Sequence, residues 1–322
     1  MRLSRPDLAV LNNLIEASRV SDAPVLVVAH DSGSAWHLAH WLSELTLNYS
    51  FCLSGPALTI FSQFFPELIC CQLTPHIVSA SSIVISGTGW QSSFEHLSRL
   101  YCQRQNIINI SVLDHWVNYD EAFTYQNQLL LPNHILVSDE YAQALALQQF
   151  PGVSVTHLPN LWLKRTVSEI SQKRRNDPLS PAQSLLYLSE PLRTEWPNSS
   201  QSPEQQSIQF LIDHIYDLIC LGFVSEDPVI TLRPHPSERS DKYLSIISSL
   251  KYEQEMVRIE LNHDKSLIEA LSTADAAFGC HTQALVVALE SSIPTFCTLP
   301  PWAPPCTLPH EGIIKLASLV FI

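Results

Sequence analysis

The chain has 322 residues, of which 46% are hydrophobic and 15% charged, and its formal net charge is −13. This length is typical of two domains, and the composition provides a large core and excludes intrinsic disorder. The negative charge argues against sequence-independent binding of nucleic acid, which depends on neutralising phosphates. Its eight cysteines lack zinc-ligand spacing, so we predict reduced, buried thiols, with no metal and no cofactor.

The N-terminal segment predicts neither a secretion signal nor a membrane span. Residues 1–7 contain no apolar stretch before a small-residue cleavage site, and residues 8–20 carry apolar side chains at helical spacing. No window offers the ~20 consecutive apolar residues that a spanning helix needs. We therefore expect a cytoplasmic protein, and peripheral contact with the inner membrane face is left open.

Residues 20–160 alternate between apolar segments of strand length and segments with helical periodicity. The first predicted strand, 24–29, is apolar throughout, as strands buried on both faces are. A glycine-containing loop at 30–34 leads into a predicted helix at 35–42. The remaining strands are predicted at 50–53, 82–86, 107–113 and 134–138, with a short one at 153–157. Five strands that alternate with helices predict a parallel sheet.

The second half of the chain repeats this alternation after a polar segment. Residues 164–184 are basic and interrupted by proline, so we predict a connector whose triplet at 173–175 faces solvent. Further strands are predicted at 185–188, 229–232, 257–259, 276–279 and 295–296, and the longest helix at 203–222. We predict two Rossmann-like α/β domains, 1–163 and 185–322, each with a parallel sheet.

Ligands of open α/β sheets bind beyond the carboxyl ends of the strands, which makes unusual residues there candidate site residues. Arg233, His235 and Pro236 follow the predicted strand 229–232. The prolines on either side of His235 stiffen the backbone and aim its side chain, while the Arg233 guanidinium suits phosphate oxygens. The alternative is that the prolines only end the strand and His235 caps it.

A second candidate anion site lies where the strand 276–279 meets the next predicted helix. The spacer is so short that free amides and the positive end of the helix dipole would face a ligand. The candidate residues are Cys280, His281, Thr282 and Gln283. An ordinary N-cap by Thr282 is the alternative.

Strand ends of the first domain carry candidate acceptor-side residues. Asp31 precedes Ser32 and Gly33, and we interpret it as a base or an acceptor contact, although aspartate beside glycine is also common in turns. A glycine loop also opens the helix predicted from residue 92. Its residues, interpreted as acceptor-binding, are Gly87, Thr88, Gly89 and Trp90.

A dense polar and aromatic segment follows the strand 107–113. We interpret Asp114 and His115 as an acid–base pair and Trp116 as the lining of an acceptor site, with chance clustering as the alternative. The sequence contains no HExxH, Walker A or GxSxG motif, which argues against metalloproteases, P-loop proteins and α/β-hydrolases.

Together these segments resemble GT-B glycosyltransferases of bacterial surface-polysaccharide synthesis. His235-Pro236 after a strand, with Thr282 at a later helix start, is similar to the His-Pro and Ser/Thr motifs of bacterial sialyl- and polysialyltransferases. The resemblance implies two domains whose sheets face across a cleft, with both motifs holding the CMP part of a CMP-activated nonulosonic acid. A His-Pro dipeptide also occurs in teichoic-acid-type polyol phosphotransferases, which use cytidine-activated donors.

The chain is also similar to the UDP-N-acetylglucosamine 2-epimerase group. The resemblance lies in the opening at 31–33 and in the helix that runs toward 293–294. That group carries acidic residues on this helix, one of which holds the ribose. The matching positions here are Val286 and Val287, which argues against UDP recognition, and Glu290 lies one turn further on.

We therefore predict an inverting, metal-independent transfer of a sialic- or pseudaminic-type acid from its CMP conjugate to a sugar hydroxyl. Arg233, His235 and amides near Thr282 would stabilise the departing phosphate, and Asp31, or otherwise Asp114, would take the acceptor proton. The expected partners are a nucleotide-sugar donor and a carbohydrate acceptor, without nucleic acid; contact with a polysaccharide-assembly complex is left open. The alternatives are a UDP-sugar transferase or 2-epimerase-like enzyme, and a non-catalytic sugar-nucleotide-binding subunit.

Overall fold

The computed structural model describes residues 5–19, 21–89, 92–174, 177–192, 196, 201–235, 238–250, 257–262 and 266–320. The chain forms two compact units, Met1–Trp162 and Leu163–Ile322. Each unit contains a six-stranded sheet whose described strand pairings are all parallel. The prediction of two Rossmann-like α/β domains with parallel sheets is confirmed.

The first unit contains seven described helices before its boundary: α1 (Arg5–Ser18), α2 (Ser32–Leu42), α3 (Pro56–Ser62), α4 (Pro75–Ser79), α5 (Ser93–Gln105), α6 (Tyr119–Phe123) and α7 (Glu140–Gln149). Its strands are β1 (Val25–Ala29), β2 (Tyr49–Leu53), β3 (Ile83–Ser86), β4 (Asn109–Leu113), β5 (Thr124–Tyr125), β6 (Gln128–Leu129), β7 (His134–Val137) and β8 (Ser154–His157). The sheet order is β2-β1-β3-β4-β7-β8, and β5 and β6 form a separate antiparallel pair. The short strand predicted at 153–157 completes the sheet as its sixth strand.

The central strands β1, β3 and β4 are buried at every residue, which explains their apolar sequences. Alternate side chains of β1 enter two different hydrophobic clusters. Val27 packs in the cluster that contains Trp41 of α2, whereas Val28 packs in the cluster that contains Cys102 of α5. The period of two residues in a strand therefore places helices on both faces of the sheet.

The prediction of a glycine-containing loop at 30–34 is wrong. Helix α2 begins at Ser32, and Asp31 is its N-cap residue, with φ −79° and ψ 151°. Gly33 therefore lies in the first helical turn rather than in a loop. The strand passes into the helix through His30 and Asp31 alone, so both side chains lie at the carboxyl edge of the sheet.

Helix α8 (Leu161–Lys173) begins at the end of the first unit and continues into the second. The other helices of the second unit are α9 (Pro203–Asp213), α10 (Ile215–Cys220), α11 (Ser240–Ser249), α12 (Leu267–Ser272), α13 (Gln283–Glu290) and α14 (Leu316–Val320). Its strands are β9 (Ala182–Leu188), β10 (Val224–Arg233), β11 (Arg258–Leu261), β12 (Ala276–Gly279), β13 (Thr295–Cys297) and β14 (Ile314–Lys315), in the order β11-β10-β9-β12-β13-β14. None of the helices described here is long and apolar enough to cross a membrane.

The segment predicted as a connector, 164–184, comprises most of α8, the start of β9 and, between them, irregular structure at the described residues 174 and 177–181. Arg174 does not face solvent as expected. Its guanidinium is half-buried and donates hydrogen bonds to the carbonyl oxygens of Leu271, at 3.3 Å, and of Ala274. These carbonyls lie at and just beyond the C-terminal end of helix α12, where the helix dipole favours a cation.

The prediction of a single helix at 203–222 is wrong, because α9 and α10 are separated at His214. This residue has φ −112° and ψ 13°, outside helical values. Its Nδ1 lies 2.7 Å from Asp217 Oδ2, so the side chain binds the first turn of α10. Residues with inward-facing side chains continue past the break, for example Ile215 and Leu218, which explains why the apolar period persists in the sequence.

Candidate functional site

The strand order of the first sheet reverses between β1 and β3, and ligands of doubly wound sheets bind at the carboxyl ends of strands beside such a point. Asp31 follows β1, residues 87–89 follow β3, and Asp114 follows β4, which neighbours β3. The structure therefore brings three of the predicted segments to one edge of the first sheet. We call this edge, with the helix starts that adjoin it, the carboxylate edge.

Helix α2 packs its first turn directly against Asp114. A Cβ on Gly33 would overlap the Asp114 carboxylate, so this position requires glycine for close approach rather than for a turn. Burial raises the pKa of Asp114, while nearby His115 and the amide of Ser34 oppose that rise. His115 Nε2 lies 3.4 Å from Asp114 Oδ2, and the His115 side chain is 54% exposed against 6% for Asp114.

Glu95, which the sequence did not single out, is fully buried in the first turn of α5. Its Oε1 accepts a hydrogen bond from the His30 amide at 3.0 Å, and its Oε2 has no hydrogen-bond partner among the described residues. Burial raises the pKa of Glu95 to about 7; the negative charges of Asp31 and Asp114 add to the rise, and the His30 amide and Arg99 oppose it. At neutral pH this carboxyl is therefore partly protonated.

The carboxyl groups of Asp31 and Glu95 converge on the backbone of Gly89. A Cβ there would overlap both Asp31 Oδ2 and Glu95 Oε2. Asp31 Oδ1 lies 2.5 Å from Nδ1 of His30, and about a third of the Asp31 side chain is exposed. The pair thus combines a partly exposed carboxyl with a fully buried one.

Two further buried polar atoms at this edge lack a hydrogen-bond partner within the described structure, Ser34 Oγ and His37 Nδ1. Burial, with the nearby His115 and His40, lowers the pKa of His37 to about 3, so its ring is neutral. An unpaired buried polar group costs about 1–3 kcal/mol, so the Ser34 hydroxyl and the Glu95 carboxyl, which meet at Gly87, are candidates for contact with a polar ligand.

Other predicted acceptor residues have structural contacts or lie at the surface. Thr88 is buried, and its hydroxyl donates a hydrogen bond to the Val112 carbonyl at 2.6 Å, which joins the segment after β3 to β4. Ser32 is exposed at the first position of α2. Trp90 and Pro236 lie outside the described residues.

Trp116 is half-buried, and its indole N–H donates to the carboxylate of Asp139 at 3.0 Å. The ring also lines an open groove of the first unit together with polar side chains that include Asn118, Glu121 and Gln148. Aromatic rings combined with amides and carboxylates suit the apolar faces and hydroxyls of sugars. The groove is thus a candidate acceptor surface next to His115.

The Gly33→Ala substitution is expected to destabilise the first unit by about 1–3 kcal/mol, because its Cβ would force α2 away from Asp114. Thermal unfolding of the Gly33→Ala variant and of the natural protein measures this loss of stability. Gly152→Ala is the matched control, since a Cβ at Gly152 would meet nothing within 4 Å. Equal stability of the two variants would contradict the close packing of α2 on Asp114.

In the second sheet, the strand order reverses between β9 and β12. Glu190 follows β9, and the predicted residues at 280–283 follow β12. The amide of His281 donates to Glu190 Oε1 at 2.6 Å. Burial raises the pKa of Glu190 to about 7, opposed by the amides of His281 and Thr282. A carboxylate of the chain itself thus occupies the amides that the sequence assigned to a phosphate.

The side chains around this helix start have identifiable contacts. Thr282 is the N-cap of α13, and its hydroxyl accepts from the Ala284 amide at 3.3 Å, as in the simpler of the two interpretations. Cys280 is buried, with its sulfur 2.9 Å from Ser207 Oγ. Gln283 is half-buried as the first residue of α13.

Arg233 ends β10 and is half-buried, with a buried Nε that has no hydrogen-bond partner among the described residues. Its carbonyl accepts from the amide and the hydroxyl of Ser189, at 3.1 and 3.0 Å, so it is held beside the end of β9. Burial lowers the pKa of His235, an effect that Glu238 opposes. The half-buried His235 is therefore suited to donate or accept a hydrogen bond as a neutral ring.

Comparisons with known proteins place the chain by its fold. No family model and no curated protein matches the sequence. The solved structure of UDP-GlcNAc 2-epimerase from Methanocaldococcus jannaschii is similar over 85% of this chain and 83% of its own, with a TM-score of 0.55 and 10% identity. A Listeria monocytogenes protein provisionally assigned as UDP-N-acetylglucosamine 2-epimerase covers 85% of this chain and 79% of its own, with a TM-score of 0.48 and 11% identity.

The first of these similarities extends over both units and shows a shared two-domain fold. Together with the two parallel sheets, it confirms the predicted GT-B fold class. The protein is therefore an α/β protein of GT-B type.

Proposed function

We propose that the protein is an enzyme acting on a nucleotide-linked sugar, with proton transfer at the carboxylate edge. The observation that carries this proposal is the buried Glu95 carboxyl, whose Oε2 has no hydrogen-bond partner among the described residues, beside the accessible Asp31 carboxyl. Both lie at the point where a doubly wound sheet binds ligands. A carboxyl with a pKa near the working pH is suited both to give and to take a proton. Asp31, or otherwise Asp114, serves as the base.

The nucleotide is assigned to the second unit, at the edge beside β9 and β12. Arg233, with its unpaired Nε, supplies positive charge for a phosphate, and His235 supplies a further hydrogen bond. The amides of His281 and Thr282 already bind the Glu190 carboxylate, so the phosphate contacts proposed here are those of Arg233 and His235.

The fold favours a UDP-sugar enzyme of the 2-epimerase-like kind as the first candidate. The reason is that the UDP-GlcNAc 2-epimerase from Methanocaldococcus jannaschii has a similar fold over both units. Val286 and Val287 are buried in the core, so any ribose contact must come from other residues. The second candidate is transfer of a nonulosonic acid from a CMP conjugate, which the segment from Arg233 to His235 favours. Both candidates need a nucleotide in the second unit, and they differ in its base and in its number of phosphates.

A thermal-shift series with UDP, CMP and GDP tests the proposal. A nucleotide that binds at 100 times its dissociation constant is expected to add about 2.7 kcal/mol of apparent stability. His235→Ala is expected to weaken binding of the preferred nucleotide about tenfold, as loss of one hydrogen bond to a charged group would. His76→Ala, an exposed histidine of the first unit, is the matched control.

The outcomes separate the candidates. A larger shift with UDP than with CMP supports the epimerase-like enzyme, and the reverse order supports the CMP-dependent transferase. Binding without turnover of UDP- or CMP-sugars would indicate a non-catalytic sugar-nucleotide-binding subunit. The absence of a shift with any of the three nucleotides would refute the proposal.

A further inference from the structure

Two cysteine sulfurs of the second unit converge on one carbonyl oxygen. Cys297, the last residue of β13, places its sulfur 3.1 Å from the carbonyl oxygen of Cys280. Cys306, in the loop that leads to β14, places its sulfur 3.6 Å from the same oxygen. Neither thiol has a part in the proposed function. The two thiols are therefore neighbours that share one acceptor.

Cys297 lowers the pKa of the neighbouring Cys306 thiol, the Leu308 amide and Lys315 act in the same direction, and burial opposes them. Cys306 and burial raise the pKa of the Cys297 thiol. Cys297 is 2% exposed, whereas Cys306 is partly exposed. The pair therefore combines an accessible thiol that ionises readily with a sheltered thiol beside it, as reactive and resolving cysteines do.

We propose that Cys297 and Cys306 are a redox modification site, at which a peroxide oxidises Cys306 and Cys297 then closes a disulfide. In the first step, the Cys306 thiolate attacks one peroxide oxygen and the O–O bond breaks. Hydrogen peroxide thus yields a sulfenic acid and a hydroxide ion, which takes up a proton as water. In the second step, Cys297 attacks that sulfur, the S–O bond breaks, and water leaves with the Cys297 proton. Two thiols are oxidised by two electrons, and the peroxide is reduced to two waters.

The disulfide would act on the start of α13. It withdraws two S–H donors from the Cys280 carbonyl, and the next residue, His281, donates its amide to Glu190. The modification site therefore lies next to the amide that binds Glu190, at the edge of the sheet assigned above to the nucleotide. Formation of the disulfide itself does not depend on that assignment.

Peptide mapping of the full-length protein tests the proposal. The protein is treated with hydrogen peroxide, free thiols are blocked with N-ethylmaleimide, and chymotrypsin is applied without reductant. Cleavage after Trp302 separates the two cysteines, so their peptides remain joined only through a disulfide. We expect the joined peptides to appear several-fold faster than oxidation of the exposed Cys220.

Two variants identify the role of each cysteine. Cys306→Ser is expected to leave Cys297 fully alkylable after denaturation, and Cys297→Ser is expected to leave Cys306 as a sulfenic acid that dimedone traps. The wild-type peptide map does not require either variant to fold. Oxidation of Cys220 while both Cys297 and Cys306 remain free, or a bond from Cys306 to a different cysteine, would overturn the proposal.

Discussion

The Asp31→Asn variant is expected to lose about 10²–10⁴-fold in turnover while its nucleotide affinity stays nearly unchanged. General-base catalysis contributes a factor of that size, and asparagine preserves the volume of the side chain but cannot take a proton. The N-cap position of α2 tolerates asparagine as well as aspartate, so the helix start is retained. Steady-state kinetics with a sugar conjugate of the nucleotide that gives the largest thermal shift measures the effect.

Asp114→Asn is the comparison that separates two candidate bases on neighbouring strands. Asp114 is buried against Gly33, whereas Asp31 is partly exposed, and for this reason we assign the larger loss to Asp31. Asp22→Asn, at an exposed position before β1, is the matched control. Full activity of Asp31→Asn with a loss in Asp114→Asn would transfer the role of base to Asp114. Full activity of both would exclude these carboxylates as the base.

The second large effect is expected at Glu95, as a change of stability with pH. The pKa of this carboxyl rises from 4.5 to about 7 on folding, mainly because the group is buried. Between these values the folded state binds more protons than the unfolded state, so the free energy of unfolding falls as pH rises. The free energy of unfolding falls by about 3 kcal/mol in total. This fall begins above pH 4.5 and is complete once the pH exceeds 7.

Glu95→Gln removes this titration and retains an oxygen that can accept from the His30 amide. The variant's stability relative to the natural protein is therefore expected to grow by about 3 kcal/mol from pH 4.5 to pH 8. Urea unfolding at a series of pH values measures it, with Glu67→Gln at an exposed position as the matched control. A difference that does not change with pH would contradict a protonated Glu95 in the folded protein.

Several elements of the fold follow from the sequence because burial on both faces leaves a continuous apolar pattern. The strand predicted at 276–279 coincides with β12, and that at 24–29 contains β1. The helix predicted at 203–222 fails at His214, because the apolar period continues through a break that the side chain of Asp217 helps to form. Periodicity thus records which side chains face the core, but it does not record every local backbone dihedral.

The positions of Asp31, Gly89 and Asp114 were predictable, since parallel strands end at the same edge of a sheet. The position of Glu95 at this edge was not predictable. Ser92 followed by Glu95 has the pattern of a capping box, which would keep the Glu95 side chain at the start of its own helix. In the structure Ser92 accepts from the Phe94 amide, and Glu95 instead turns inward to the His30 amide. The choice between these contacts depends on which strand lies beside the helix.

By itself, the sequence determined two α/β units and the strand ends at which polar residues gather, since both depend on local patterns of burial. Tertiary structure alone decided which ends become neighbours. Glu190 reaches the amide of His281 because β9 pairs with β12, although 91 positions separate the two residues. Glu95 is buried because the start of α5 packs against the segments that follow β1 and β3, at His30, Gly87 and Gly89. Strand order and burial arise from packing between distant segments, and no short stretch of sequence contains that information.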